Sequence, residues 1–140
     1  MKIEHVAIWV KDIDKVCEFY RKYFGGVVHP LYHNHAKQFT SRFITFDDGA
    51  RLEVMHRPDI CIEQNVGIDK IVSHETLSDT QHLGFTHLSF SVGSKEEVDR
   101  LTQQMSSEGI PVVGQPRTTG DGYYESVVLD PEGNRIEITV

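Results

Sequence analysis

The sequence predicts an α+β fold: two tandem β-α-β-β-β modules that form a curved, barrel-like mixed sheet with the helices outside. Three observations predict it. A stretch occurs twice, first from His5 to Glu53 and again from His87 to Glu137, at nearly the same spacing. Each copy opens on an alternating strand pattern and passes into a helical one. Each copy also ends on a turn followed by Arg-Leu-Glu-Val or Arg-Ile-Glu-Ile. Agreement in element order, turn chemistry and residue identity marks one module written twice.

In the first module, Ile3 to Val10 alternates as a strand, with Val6, Ile8 and Val10 on one face and Ile3, His5, Ala7 and Trp9 on the other. Asp12 caps a helix over Lys15 to Phe24. Its stripe is Ile13, Val16, Phe19, Tyr20, Tyr23 and Phe24, and Gly25-Gly26 ends it. Val27 to Leu31 reads as a second strand, Tyr32 to Lys37 as a polar loop, and Phe39 to Phe46 as a third strand. Asp47-Asp48-Gly49 is a hairpin turn, and Arg51 to His56 is the fourth strand. From Arg57 to Leu83 no period holds. A connection of that length is uncommon in a compact domain and suits a lid. A short helix near Ile68 to Ser73 is the one element expected there, and His74-Glu75 could swing over a cleft.

The pattern then recurs. Phe85 to Val92 is a strand with Leu88, Phe90 and Val92 on one face and His87, Ser89 and Ser91 on the other. Ser94 with Glu97 makes a capping box, Val98, Leu101 and Met105 form the helix stripe, and Gly109 ends the helix. Ile110 to Val113, Tyr123 to Leu129 and Arg135 to Val140 are the remaining strands. Asp121-Gly122-Tyr123 and Asp130-Pro131-Glu132-Gly133 are turns. The expected organisation is a single domain over residues 1–140: a first module over 1–57, a connection over 58–83 and a second module over 84–140.

The bulk properties exclude several function classes. No run approaches the roughly 20 apolar residues that span a membrane. The net charge of -7, with no Lys/Arg cluster, argues against nucleic acid and anionic membranes as partners. The chain enters its first strand without a secretion signal, which points to the cytoplasm. Cys17 and Cys61 are then expected as free thiols, and they lack zinc-type spacing.

Strand phase places the chemistry. His5, Glu53, His87 and Glu137 each lie on the mixed polar face of their strand, opposite the apolar face that a helix would cover. Any one of them alone reads as a hydrogen-bonded or solvated side chain. Two His and two Glu at repeated positions read as one metal site, suited to zinc, nickel, manganese, cobalt or iron(II). A six-coordinate ion would keep two positions for water or substrate oxygens and could stabilise an enolate. Met55 and Ser89 share the polar face and are expected to touch a small-molecule substrate. Trp9 either lines an aromatic pocket or fills the cleft. Arg57 either holds a carboxylate or phosphate or ends its strand in solvent. The cluster His29, His33 and His35 reads as part of a solvated loop.

On Glu4-His5-Val6-Ala7-Ile8, Arg51-Leu52-Glu53-Val54, Gly84-Phe85-Thr86-His87-Leu88-Ser89-Phe90 and the Glu137 that follows Asp130-Pro131-Glu132-Gly133-Asn134, the chain resembles the vicinal oxygen chelate superfamily, in its glyoxalase I-like branch. The resemblance implies a metal held by His5, Glu53, His87 and Glu137, and a homodimer. In glyoxalase I the metal holds the hemithioacetal of a 2-oxoaldehyde while a ligand Glu moves a proton between neighbouring carbons. Carried over, Glu137 is that base and Glu53 stands on the opposite side of the metal. The implied activity is a metal-dependent isomerase or lyase. The chain departs from the glutathione-dependent enzymes at Trp9, where they carry Arg, and at Arg57, where they carry Asn. Glutathione is doubtful for that reason. Within the superfamily the alternatives are an enzyme like methylmalonyl-CoA epimerase, which usually has Gln where Glu53 sits, a metal-free drug-binding module, and an oxygen-using iron enzyme.

Overall fold

A computed structural model of the chain describes residues 1–60 and 84–140. The helix expected at 68–73, the His74-Glu75 lid, Cys61 and His82 lie outside the described residues. The chain divides into two compact units, Met1–Glu63 and Gln64–Val140. Among the described residues there are two helices and nine strands in two mixed sheets, so the α+β class and the duplicated arrangement hold. No helix among them is long and apolar enough to cross a membrane.

In the first unit, β1 (His5–Trp9) is followed by α1 (Ile13–Phe24), then β2 (Val27–Val28), β3 (Tyr32–Asn34), β4 (Phe39–Thr45) and β5 (Arg51–His56). The Asp12 carboxylate accepts the Lys15 amide at 2.9 Å and starts α1. Ile13, Val16, Cys17, Phe19 and Tyr20 are its buried face, and α1 packs on β4 and β5 over Ile44, Leu52 and Val54. Full burial of each such side chain stabilises the fold by roughly 1.5–3 kcal/mol. The sheet order is β1-β5-β4-β2, with β1 parallel to β5 and the other pairs antiparallel.

Two expectations for this unit are corrected. The second strand stops at Val28, because Pro30 has no amide to give the ladder. The segment expected as a polar loop instead contributes β3, paired antiparallel to β4 as Tyr32↔Ser41, His33↔Thr40 and Asn34↔Phe39. The Asn34 side chain accepts the Lys37 amide at 3.1 Å and so closes the turn back to β4. Three polar or aromatic residues carry too short a pattern to announce a strand; the ladder to β4 is what makes it one.

The second unit runs β6 (His87–Ser91), α2 (Lys95–Ser107), β7 (Val112–Thr118), β8 (Tyr124–Leu129) and β9 (Arg135–Thr139). Its order, β6-β9-β8-β7, repeats that of the first unit, again with one parallel pair, β6 with β9. The Ser94 hydroxyl accepts the Glu97 amide at 3.2 Å, while the Glu97 carboxylate turns to Arg100 at 2.8 Å. Val98, Leu101, Thr102 and Met105 are the buried side of α2, against β7, β8 and β9. The strand expected to end at Val113 continues to Thr118. Gly114 and Pro116 read as breakers, but β7 lies at the edge of its sheet. Register shifts between Val112 and Gly114, and between Gly114 and Arg117, absorb them there.

The matching turns Asp47-Asp48-Gly49 and Asp130-Pro131-Glu132-Gly133 place Gly49 at φ 92° and Gly133 at φ 85°. Only glycine enters that region freely, so each turn delivers the next strand in fixed phase. In the second turn the buried Asp130 side chain accepts the amides of Glu132 and Asn134, each at 2.9 Å.

Candidate metal and substrate site

Each unit places one His and one Glu on adjacent parallel strands. In the first, His5 stands opposite Arg51, and Glu53 opposite Ala7. In the second, His87 stands opposite Arg135, and Glu137 opposite Ser89. The Glu is therefore two residues along from the His in both, a diagonal neighbour on the same face. Alternation accounts for the shared face: β1 and β6 expose every second residue from their His, while Leu52, Val54, Ile136 and Ile138 are buried behind the Glu residues.

The distances and exposures repeat as well. His5 Nε2 lies 3.9 Å from Glu53 Oε2, and His87 Nε2 lies 3.4 Å from Glu137 Oε2. The histidine side chains are 42% and 41% exposed, and the glutamates 16% and 18%. In each unit an open imidazole thus faces a sheltered carboxylate. Among the described residues no three His, Cys, Asp or Glu side chains gather into a metal-binding group; what each unit offers is a pair.

The surroundings of the two pairs differ. His5 Nδ1 lies 2.5 Å from a Glu4 carboxylate oxygen, and the other Glu4 oxygen is paired with Arg51. The hydrogen bond from His5, helped by Arg51, holds the Glu4 carboxyl below its ordinary range. An ionised Glu4 only accepts, so Nδ1 is the donor to it, and Nε2 is the ring nitrogen on the side of Glu53. Glu4 precedes His5 directly, yet strand alternation alone gave it no part in the site. In the second unit the Ser89 hydroxyl donates to Glu137 Oε1 at 2.7 Å, a bond that Ala7, at the matching place, cannot make.

The second unit adds an acid that the sequence reading missed. Glu125 on β8 shares the face of Glu137, since Glu125 pairs with Thr139 and Val127 with Glu137. Arg117 donates to it at 3.1 Å. Burial, and then the charge of Glu137, raise the Glu125 carboxyl above its ordinary value. The alternation of β8 carried the signal that Glu125 lies on that face.

The expected substrate contacts in the first unit lie together at one end. Trp9 stands opposite Met55 in register, and the Arg57 guanidinium lies 5.7 Å from the centre of the Trp9 ring. Phe39 meets Trp9 edge-on at 6.0 Å, and Phe43 meets His5 edge-on at 5.6 Å. Of the other histidines, His56 binds the Val10 carbonyl at 3.0 Å and His29 contacts Thr45 at 3.0 Å, so both tie strands together. The rings of His33 and His35 lie 4.1 Å apart.

Two units of one strand order, each a helix-backed mixed sheet with a His/Glu pair on its open face, define a protein of duplicated α+β modules. The chain belongs to the Glyoxalase/Bleomycin resistance protein/Dioxygenase superfamily, whose family profile matches residues 2–138. It is 22% identical to the uncharacterised protein YqjT of Bacillus subtilis (strain 168), over 97% of this chain and 96% of that one. Among solved structures it resembles a glyoxalase family protein from Enterococcus faecalis, with a TM-score of 0.71 at 21% identity, covering 99% of this chain and 97% of that one. It also resembles glyoxalase I from Zea mays, with a TM-score of 0.70 at 20% identity, covering 99% of this chain and 44% of that one. At such identities the structural likeness carries the fold.

Proposed function

We propose that the chain is a divalent-metal-dependent isomerase or lyase of the glyoxalase I type, moving a proton between neighbouring carbons of a small oxygenated substrate. The repeated His/Glu pair, the same in register and closely matched in exposure in the two units, at 3.9 and 3.4 Å, carries this reading. The donor chemistry fits: His5, Glu53, His87 and Glu137 would supply two imidazoles and two carboxylates to zinc, nickel, manganese, cobalt or iron(II). When bound, the ion supplies the positive charge that stabilises an oxyanion developing on the substrate.

Glu137 is the base in this reading. Ser89 donates to its Oε1 and so orients the carboxylate that takes and returns the proton. Glu4 and Arg51 orient His5. Trp9 and Arg57 stand where glutathione-dependent enzymes carry Arg and Asn, so the thiol partner, if one is used, is not expected to be glutathione. A homodimer belongs to the same reading.

The test is elemental analysis of the purified protein, followed by assay of methylglyoxal with a panel of thiols. Stoichiometric divalent metal is expected. Glu137→Gln should lower turnover by about 10²–10⁴-fold, and His87→Ala should lose both metal and activity. Full metal occupancy and full activity in both variants would overturn the proposal.

A further inference from the structure

The first unit presents an aromatic surface that its fold does not use. Trp9, on β1, is 42% exposed and Tyr32, on β3, 54%. Phe39 joins them, edge-on to Trp9 at 6.0 Å and to Tyr32 at 6.1 Å. A T-shaped contact uses a face of one ring in each pair, and the remaining exposed face area of Trp9 and Tyr32 is what a planar ring stacks on best. A cation sits at the same end, since the Arg57 guanidinium lies 5.7 Å from the Trp9 ring centre. Asp59 meets it through Nε at 2.5 Å, and a guanidinium carries four further N–H donors in a fork that suits a carboxylate.

The placement relative to His5 and Glu53 sets the size of the ligand. Trp9 is two residues along β1 from Ala7, the partner of Glu53, which is roughly 7 Å along the strand. Ala7 shares the exposed face between His5 and Trp9. Its methyl group leaves room where a longer side chain would divide the two places.

We propose that the Trp9–Phe39–Tyr32 surface with Arg57 binds the planar ring and carboxylate of a small aromatic acid, and so sets the substrate class of the neighbouring His/Glu pair. The assignment of a substrate rests on the metal-enzyme reading above; the binding surface itself does not.

Trp9 is the single tryptophan of the chain, so its emission reports occupancy directly. The probe is phenylacetate, titrated into EDTA-treated protein and again with added divalent ion. A saturable change in Trp9 emission is expected in both. Acetate, cyclohexylacetate and phenethyl alcohol, each lacking either the planar aromatic ring or the charge, should bind at least about tenfold more weakly. Arg57→Gln should weaken phenylacetate about tenfold, and Phe39→Leu should weaken it while leaving acetate unchanged. Glu53→Gln should leave phenylacetate binding intact, so loss of the metal reading and loss of this one are told apart. No saturable change, equal binding of cyclohexylacetate, or tighter binding of the uncharged alcohol would each overturn the proposal. The ligand comparisons on the unaltered chain decide it even if a variant fails to fold.

Discussion

Cys17 lies on the buried face of α1, and burial pushes its thiol up to about 11 from an ordinary 9.0. The unfolded chain releases that proton earlier than the folded one. The contribution to stability is therefore fully present below about pH 9 and is lost as pH rises toward 11, by about 2–3 kcal/mol in all. Urea unfolding near pH 8 and near pH 10.5 should show this fall in the wild type and a shallower one in Cys17→Ala, with iodoacetamide labelling of Cys17 only where urea opens the unit. At this scale much of the candidate site was legible in the sequence, because strand phase is a strict rule of two. It set His5, Trp9, Glu53 and Glu137 on open faces without any three-dimensional information. The partners that orient them were not legible in the same way. Glu4 reaches His5 Nδ1 from outside the alternation, and the bond from Ser89 to Glu137 depends on which residues the parallel ladder sets opposite one another.

Helix α2 and strand β8 are joined by a chain of two buried hydroxyls. Thr102 donates to the Val98 carbonyl at 2.6 Å, so its single proton is used, and Ser126 must be the donor to Thr102, also at 2.6 Å. The two ends of this chain are unequal. Ser126→Ala removes a donor and leaves Thr102 satisfied, at a cost of about 1 kcal/mol. Thr102→Val strands a buried Ser126 hydroxyl, at a cost of about 1–3 kcal/mol. Urea unfolding of both single variants and the double should show the double costing less than the sum. Both helices were legible from their stripes and caps: the sequence places α1 at Asp12 and α2 at Ser94, and the structure caps them there. Strands β3 and the latter half of β7 were not legible. Tyr32–Asn34 has no apolar alternation, and Gly114 with Pro116 mimics a loop. In both places pairing to a long neighbour outweighs local preference.

At the scale of the molecule, the duplicated units raise the question of which copies cooperate. If the proposed ion is shared between the first unit of one chain and the second unit of another, two inactive chains should rescue one another. A chain carrying His5→Ala and Glu53→Gln, mixed with one carrying His87→Ala and Glu137→Gln, should then regain about a quarter of full activity on exchange of subunits, since random pairing leaves half the dimers mixed and each with one intact quartet. If each chain builds its own quartet, the mixture stays inactive at every ratio. Activity and metal content of the mixture separate the two outcomes. The same scale gives a meaning to the uneven strand at the border of the second sheet. In β7 the register slips twice between Val112 and Arg117, and Pro116 contributes no amide. A strand from a neighbouring molecule would find there a broken row of donors and a twisted ribbon, poor ground on which to extend the sheet. Irregular pairing of this kind at a sheet border disfavours fibre-like stacking of neighbouring molecules.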